Sequence, residues 1–522
     1  MAITSRTERP HPGHRHPAAA LAWLAGLTLA GAAQAQTVRV EPSVAASVVA
    51  TSNVDLSAAA AARSDLVLSV SPQLLLRGTG GNYQFDGSVG VTGVHYTRGT
   101  LTDRLLPRAH VGASARLIDR LLFAEGQIDA DTTGVDPFRV VGDGATTYNR
   151  QNVTRMRFSP FVDRQLSPQT RLTLRSDNTW AHVGNAQNST TATTTTTPGN
   201  DTYVQSDLLR LDRRPTPLGY QLEATRVDTS LRQQGNDSGV LTDTGRAVLL
   251  YAPDPQLHLG LRVGHDRVQY STIRISDTFQ GVGLQWSPSL HTNLDMMVEQ
   301  RFFGSGWSAN LLHRSGFLSM SVNLSRQLTS YAQSLATLPS AGSTATMLDQ
   351  IYKLSIPDDA RRAQVIRELM ARYNLPDNTS GPLDIYSDRP QIMQAGGLNF
   401  TLTGVRHTVS LNLFQQKTID LGGQETTVPL PSRDVLQRGW TLTLNRRLTP
   451  DMAANGAVSY AHSEDLGLIG RQTSSRSVRL GLSRKLSPRS DASAGLRRTL
   501  VSSTIAADAQ ETAVYVGMTH RF

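Results

Sequence analysis

QLHLGLRVG, residues 256–264, places Leu257, Leu259, Leu261 and Val263 on one side of an extended chain and His258, Gly260, Arg262 and Gly264 on the other. Successive side chains of a strand point to opposite faces, so a period of two marks a strand with one apolar face. The same split recurs in RLTLRS (171–176), where Leu172 and Leu174 oppose Arg171, Thr173 and Arg175. It recurs again in WTLTLN (440–445) and in VRLGLS (478–483), where Val478, Leu480 and Leu482 oppose Arg479, Gly481 and Ser483. One face is apolar throughout; the other is small, polar or cationic. Many such segments run to about ten residues or more, longer than the roughly five or six usual in soluble sheets and suited to tilted strands that cross a bilayer.

The punctuation has its own pattern. Leu166-Ser-Pro168, Trp286-Ser-Pro288, Leu448-Thr-Pro450 and Leu486-Ser-Pro488 predict tight strand ends, because proline cannot donate to a ladder and pre-sets a turn. Longer polar stretches lie between them: Asp131 to Thr147, the threonine tract Ser189 to Thr197, and Leu421 to Pro431. Short turns alternating with long loops are the asymmetry of an outer-membrane barrel. The alternation predicts about 16–22 strands, nearest about 22, from Val38–Ala50 to Glu511–Phe522. The predicted fold is all-β, a transmembrane antiparallel outer-membrane β-barrel with one short helical insertion. In hydrocarbon only helices and closed barrels satisfy every backbone group, and past residue 36 no apolar run approaches the roughly 20 residues of a spanning helix.

Both termini fit export. Arg6, Arg9 and Arg15, the apolar stretch Ala18–Ala30 and the small residues ending in Ala33-Gln34-Ala35 predict a signal peptide over 1–35 and a barrel over 36–522. The chain ends TAVYVGMTHRF, in which Val514, Val516, Met518, His520 and Phe522 share one face. That ending resembles the terminal strand that the barrel assembly machinery reads in bacterial outer-membrane proteins, with His520 standing where an aromatic or aliphatic residue is usual. Strands are expected to begin almost at once after Gln36, leaving no room for a plug domain before the barrel, which disfavours a TonB-dependent transporter.

The 522 residues hold 51 Lys+Arg, 42 Asp+Glu and no Cys. Cysteine absence removes disulfide frameworks, thiol nucleophiles and thiolate metal sites. The histidines are scattered; His258 and His265 fall on opposite strand faces and cannot pair on a metal. No metalloprotease, nucleophile-elbow or phosphate-loop motif is present, so no enzyme, metal or cofactor is expected. Arginines instead mark the polar strand faces: Arg155, Arg157, Arg171, Arg175, Arg262 and Arg479. With their apolar partners toward lipid they point into the lumen, where arginine rings favour anions. They could equally pair with lumenal carboxylates such as Asp129 and Glu223, or meet lipopolysaccharide phosphates at the rim. Without an aromatic stacking platform they do not suggest nucleic acid.

From Leu335 to Ser387 the period changes. Asp358-Asp359 followed by Val365, Ile366, Leu369 and Met370 predicts a helix that Leu375-Pro376 stops, and a second short helix is expected over Thr346–Lys353. By the strand count this insertion is an outer loop, either folded into the lumen as a cap or constriction or packed over the rim.

SNVDLSAAAAARSDLVLSVSPQLLLRGTGGNYQFDGSVGVTGVHY (52–96), IPDDARRAQVIRELMARYNLP (356–376) and LTGVRHTVSLNLFQQ (402–416) resemble the PEP-CTERM-system-associated outer membrane proteins, a group of β-barrel porins. The resemblance covers nearly the whole mature chain and implies a role in exopolysaccharide export across the outer membrane. The partners it implies are exopolysaccharide or its periplasmic export components, beside outer-membrane lipid, lipopolysaccharide and the assembly machinery. It carries no catalytic residues. The alternatives are a general diffusion porin for small anionic solutes and a structural or adhesion barrel displaying its outer loops.

Overall fold

The structure, a computed structural model, describes residues 37–134, 136–139, 149–189, 194–197, 199–233, 236–337, 362, 366, 382–383, 386–387, 389–421, 434–467 and 470–522. Twenty-two strands pair antiparallel in a single sheet. Thr37–Thr51 pairs with Asp65–Thr79 on one side and with the last strand, Ala509–Arg521, on the other, from Ser43 opposite Arg521 to Thr51 opposite Ala513. The sheet therefore closes on itself, at the upper end of the predicted strand range. Strands run from 10 residues (Thr292–Arg301) to 19 (Asn236–Asp254), and no helix among the described residues is long and apolar enough to cross a membrane.

The alternation in the sequence sorts the two faces of this wall. Leu259, Leu261 and Val263 are exposed, as are Leu480 and Leu482 and, on the closing strand, Val514, Val516 and Met518. Their neighbours in the chain, such as Asp266, Arg497 and Glu511, are buried on the inside. The polar face thus turns inward and the aliphatic face outward, the arrangement a strand adopts when its outside solvent is lipid.

With the first strand leading from the periplasmic end, every Leu-Ser-Pro-like site falls at that end. Leu166–Gln169 and Leu448–Asp451 connect strands as expected, Leu166 N–H bonding the Thr170 carbonyl and Leu448 N–H that of Met452. Trp286-Ser-Pro288 does not. It lies within the strand Ile273–Ser289, where the ladder skips from Trp286 to Ser289. The bulge absorbs the proline, and the chain reverses at residues 290–291. The strand Leu122–Gly134 likewise runs on past Asp131, and the threonine tract contributes a small hairpin, Ala186–Ser189 with Thr194–Thr197.

The outer connections are less uniform than the sequence suggests. Those at 52–64, 135–149, 184–199, 331–389 and 421–434 are long, yet those at 234–235, 271–272 and 302–303 are only two residues. One sector of the outer rim is therefore low, beside a sector crowded with chain.

If the aliphatic face meets lipid, charge there should be penalised by depth. Replacing Leu261, 62% exposed midway along its strand, by Arg is expected to lower unfolding free energy in lipid vesicles by about 2–4 kcal/mol. Urea titration of the refolded chain checks this. An Arg at His258, on the inner face near the periplasmic end, serves as the control and should cost well under half as much.

Candidate functional site: the lumen and its outer mouth

Around the inside, charge is mostly answered by charge. Glu299 is 1% exposed and faces three guanidiniums. Arg246 Nε lies 3.0 Å from its carboxylate, Arg262 Nη1 3.6 Å and Arg301 Nη1 4.0 Å. Arg246 also donates to Glu223 at 2.8 Å, and Arg301 clasps Asp266 at 2.5 and 2.7 Å. Phe279 lies beneath both Arg246 and Arg301. This network joins strands Leu218–Gln233, Asn236–Asp254, Leu257–Tyr270, Ile273–Ser289 and Thr292–Arg301 below the low sector of the rim. A second buried pair, Arg497 with Glu511 at 2.8 Å, takes in the Thr51 hydroxyl at 2.7 Å and so crosses the closing seam.

The six arginines singled out in the sequence have different surroundings. Arg175 pairs with Glu125 at 2.6 Å and Asp177 at 2.9 Å and stacks on Phe161. Arg171, exposed near the periplasmic end, holds Asp163, with Nε 2.6 Å from Oδ1. Arg157 donates to the Gln127 amide oxygen at 2.8 Å, Arg262 belongs to the Glu299 network, and Arg479 lies over the Tyr515 ring. Arg155 is buried, 5% exposed. The structure does not gather them into a ring. The two carboxylates named with them are engaged elsewhere, Asp129 by His110 at 2.5 Å and Glu223 by Arg246. Sequence reading missed Arg246, Arg301, Arg497 and Glu299, although each obeys the same parity rule. The available signal was a carboxylate and an arginine on the same face of strands close in order.

Across the middle of strands Leu318–Ser330, Pro390–Thr403 and His407–Asp420 the inner wall is neutral and hydrogen-bonding. Asn412 donates to Asn399 at 2.5 Å, Asn399 to Ser321 at 3.2 Å, and the Thr401 and Ser410 hydroxyls lie 3.1 Å apart. Among the described residues no cluster of three or more His, Asp or Glu could hold a metal ion.

The outer mouth is crossed by protein. The insertion begins earlier than its period break implies, with a helix Tyr331–Ala336 that the sequence reading did not anticipate. Ser330 starts it by accepting the Gln333 N–H at 3.2 Å, the usual work of an N-cap hydroxyl. Tyr331, Ala332 and Leu335 are buried; Tyr331 and Leu335 pack with Val153, Ala181, Val183 and Leu231. The strand that precedes the helix is six places round the barrel from Leu218–Gln233 and eight from Thr170–Val183. At about 4.8 Å per strand that is roughly 30 Å of wall or more, bridged by a single helical turn and a half. The wall must therefore approach itself here. Two other contacts also bridge it. Arg471 sits 4.3 Å from the Phe138 ring centre while Thr473 donates to the Phe138 carbonyl at 2.9 Å, and Tyr270 donates to the Leu421 carbonyl at 3.4 Å.

On its return the insertion is tied down again. The Gln437 side chain accepts from the Leu383 N–H and donates to its carbonyl, both at 2.8 Å. Arg362 and Ile366 are helical and buried, within the helix expected after Asp358-Asp359; the helix expected at Thr346–Lys353 and the Leu375-Pro376 stop lie outside the described residues.

No family model and no curated protein matches the chain. Among solved structures it is similar to the siderophore receptor PirA from Acinetobacter baumannii (8% identity, 94% of this chain and 81% of that one, TM-score 0.46). It is also similar to the FrpB iron transporter from Neisseria meningitidis (10%, 92% and 82%, 0.40) and to the outer membrane protein opdK from Pseudomonas aeruginosa (11%, 93% and 99%, 0.34). The chain is an outer-membrane β-barrel. That statement rests on its own closed sheet and apolar exterior; likenesses this distant say nothing about what its lumen admits.

Glu299 provides a direct test of the network. Glu299→Ala removes the buried carboxylate that three part-buried guanidiniums share and leaves Arg262 without an acidic partner, so a loss of about 3 kcal/mol is expected, against under about 1 kcal/mol for Asp163→Asn in the exposed pair. Chemical unfolding of both variants in the same vesicles measures the contrast; equal losses would mean that the inner network is as solvated as the surface pair.

Proposed function

We propose that this barrel is a passive outer-membrane conduit whose outer mouth is closed by the insertion 331–389. The observation that carries the reading is the helix Tyr331–Ala336, which grows from one part of the wall and packs its apolar face on another. The insertion then acts as the cap or constriction rather than as a loop lying over the rim.

The cargo is proposed to be exopolysaccharide, on the strength of the family resemblance. The wall supports it chemically. Its charges are largely paired, and its neutral sector presents amides and hydroxyls from Ser321, Asn399, Thr401, Ser410 and Asn412. Such a lining exchanges hydrogen bonds with a polyhydroxylated chain without trapping it on a fixed charge. The paired arginines make a strong anion funnel the weaker account of the lumen. A general diffusion porin is the second reading, favoured by the same wide polar wall.

Ser330 stands opposite Pro390 in the ladder, so an Asn-Gly turn can replace residues 331–389 and close the hairpin. In planar bilayers the intact chain is expected to be silent or to conduct rarely. The shortened chain should form a stable open channel with a permeability ratio for anions over cations near one. Silence of both forms would remove the conduit reading. The cargo is tested separately in the native host: deleting the gene should abolish surface polymer and leave small-solute uptake unchanged, whereas the reverse pattern identifies a diffusion porin.

A further inference from the structure

On the outside of the wall one sector departs from the aliphatic rule. Along Leu257–Tyr270 the outward row reads Leu259, Leu261, Val263 and then, toward the outer rim, His265 and Arg267. The neighbouring strand Ile273–Ser289 reads Trp286, Leu284 and Val282, then Gln280, Thr278, Ser276 and Arg274. Arg267 is opposite Ser276, and Gln269 is opposite Arg274. The two arginines are therefore diagonal cross-strand neighbours, about 7–8 Å apart at the backbone.

Arg267 and Arg274 are both exposed, and neither forms an ion pair among the described residues. The acid in register with Arg267, Asp243, is engaged by Arg226 at 3.8 Å. Asp207 accepts hydrogen bonds from Ser176 and Gln205 at 2.6 and 2.8 Å. His265 Nε2 and the Ser276 hydroxyl lie 2.9 Å apart, one row below the two arginines. These groups edge a groove of about 1110 Å³ whose other side is aliphatic, including Leu174 and Leu209. Most of its lining shares the outward parity of the exposed leucines, so the groove opens to the membrane and not to the lumen.

We propose that this groove binds a phosphorylated glycolipid of the outer leaflet, a lipopolysaccharide, with a phosphate on Arg267 and Arg274 and acyl chains along the aliphatic rows beneath. The argument is one of charge and height. Cations on the lipid face are costly at mid-membrane and tolerated near the interface. Here they stand above Val263 and Val282 at the outer end, where the headgroups of that leaflet lie. Two guanidiniums at this spacing can share a phosphate through charge-assisted hydrogen bonds, and the elongated apolar floor distinguishes a lipid from a free anion. The site does not depend on what passes through the lumen.

The test uses the full mature chain in detergent, with bisphosphorylated lipid A and the same lipid enzymatically dephosphorylated as probes, read by native mass spectrometry. The wild type should hold the bisphosphorylated lipid at least about tenfold more tightly, and Arg267→Ala with Arg274→Ala should lose about that factor. Arg267→Lys with Arg274→Lys should retain most of it. Heat-dependent gel mobility confirms that each variant is a folded barrel, and the Lys pair keeps the comparison valid if the Ala pair is not. Equal binding of the two lipids, unchanged binding by the Ala pair, or complete displacement by millimolar inorganic phosphate would each overturn the proposal. So would a dimer that forms in place of lipid binding and is lost in the Ala pair, which would assign the face to a second copy of the chain.

Discussion

An unpaired backbone amide in hydrocarbon costs several kcal/mol, and the seam between the first and last strands is where this chain meets that constraint. Nine residues of Thr37–Thr51 find partners on Ala509–Arg521, and the Phe522 N–H reaches the Pro42 carbonyl at 3.0 Å below them. Pro42 sits opposite Phe522 at the periplasmic end of the seam, so its missing donor falls at the edge of the ladder and not within it. At the outer end the seam is locked from inside by Arg497, Glu511 and Thr51. Polar side chains inside and aliphatic ones outside follow directly, because a closed two-faced sheet offers no third environment.

Closure also dictates how the lumen can be narrowed. A 22-stranded wall with short side chains encloses far more space than its own residues can fill, so an occluded mouth needs either a plug or an inward fold of the outer connections. On the proposed reading this chain uses the second device. The long connections cluster on part of the rim, and the apolar contacts of Tyr331, Leu335, Phe138, Tyr270 and Leu421 all lie at that end. The turns at 271–272 and 302–303 are short and add only Phe302 and the adjoining Tyr270 to these contacts, and the sector they join is stiffened by the Glu299 network.

What the sequence disclosed follows from which features are periodic. Strand alternation repeats over every crossing, so the strand type and the direction of the faces could be read from Leu257–Val263 or Val478–Leu482, and the fold class and a strand count near its upper bound from the recurrence of that pattern along the chain. The bulge at Trp286 could not, because one added residue beside a proline looks the same as a turn until the partner strand is known. The helix Tyr331–Ala336 was hidden for another reason: Tyr331 and Leu335 read equally well as the tail of the strand Leu318–Ser330, and only the far wall decides for the helix. Ion pairs were legible least. Parity placed the arginines on the inner face, but Arg246 meets Glu299 three strands away, and that depends on how the wall curves.

The energetics of the mouth are consistent with a closure that opens without disturbing the barrel. Burying Tyr331 and Leu335 contributes about 1.5–3 kcal/mol each, and the Ser330 cap adds about 1 kcal/mol. Release of the helix from the far wall would then cost on the order of 4–7 kcal/mol, which holds the open state near or below about one part in a thousand. The helix carries no charged side chain, so the Glu299 and Arg497 networks remain intact when it moves. A ligand that shifts such an equilibrium must prefer the open mouth by the same margin, and a polymer entering from the periplasmic side can accumulate that preference over many weak hydrogen bonds with the amide and hydroxyl wall. A small solute makes too few of them. On the proposed reading, the division between a stiff charged sector and an apolar hinged one is what lets a wide barrel stay shut to solutes and open to a chain.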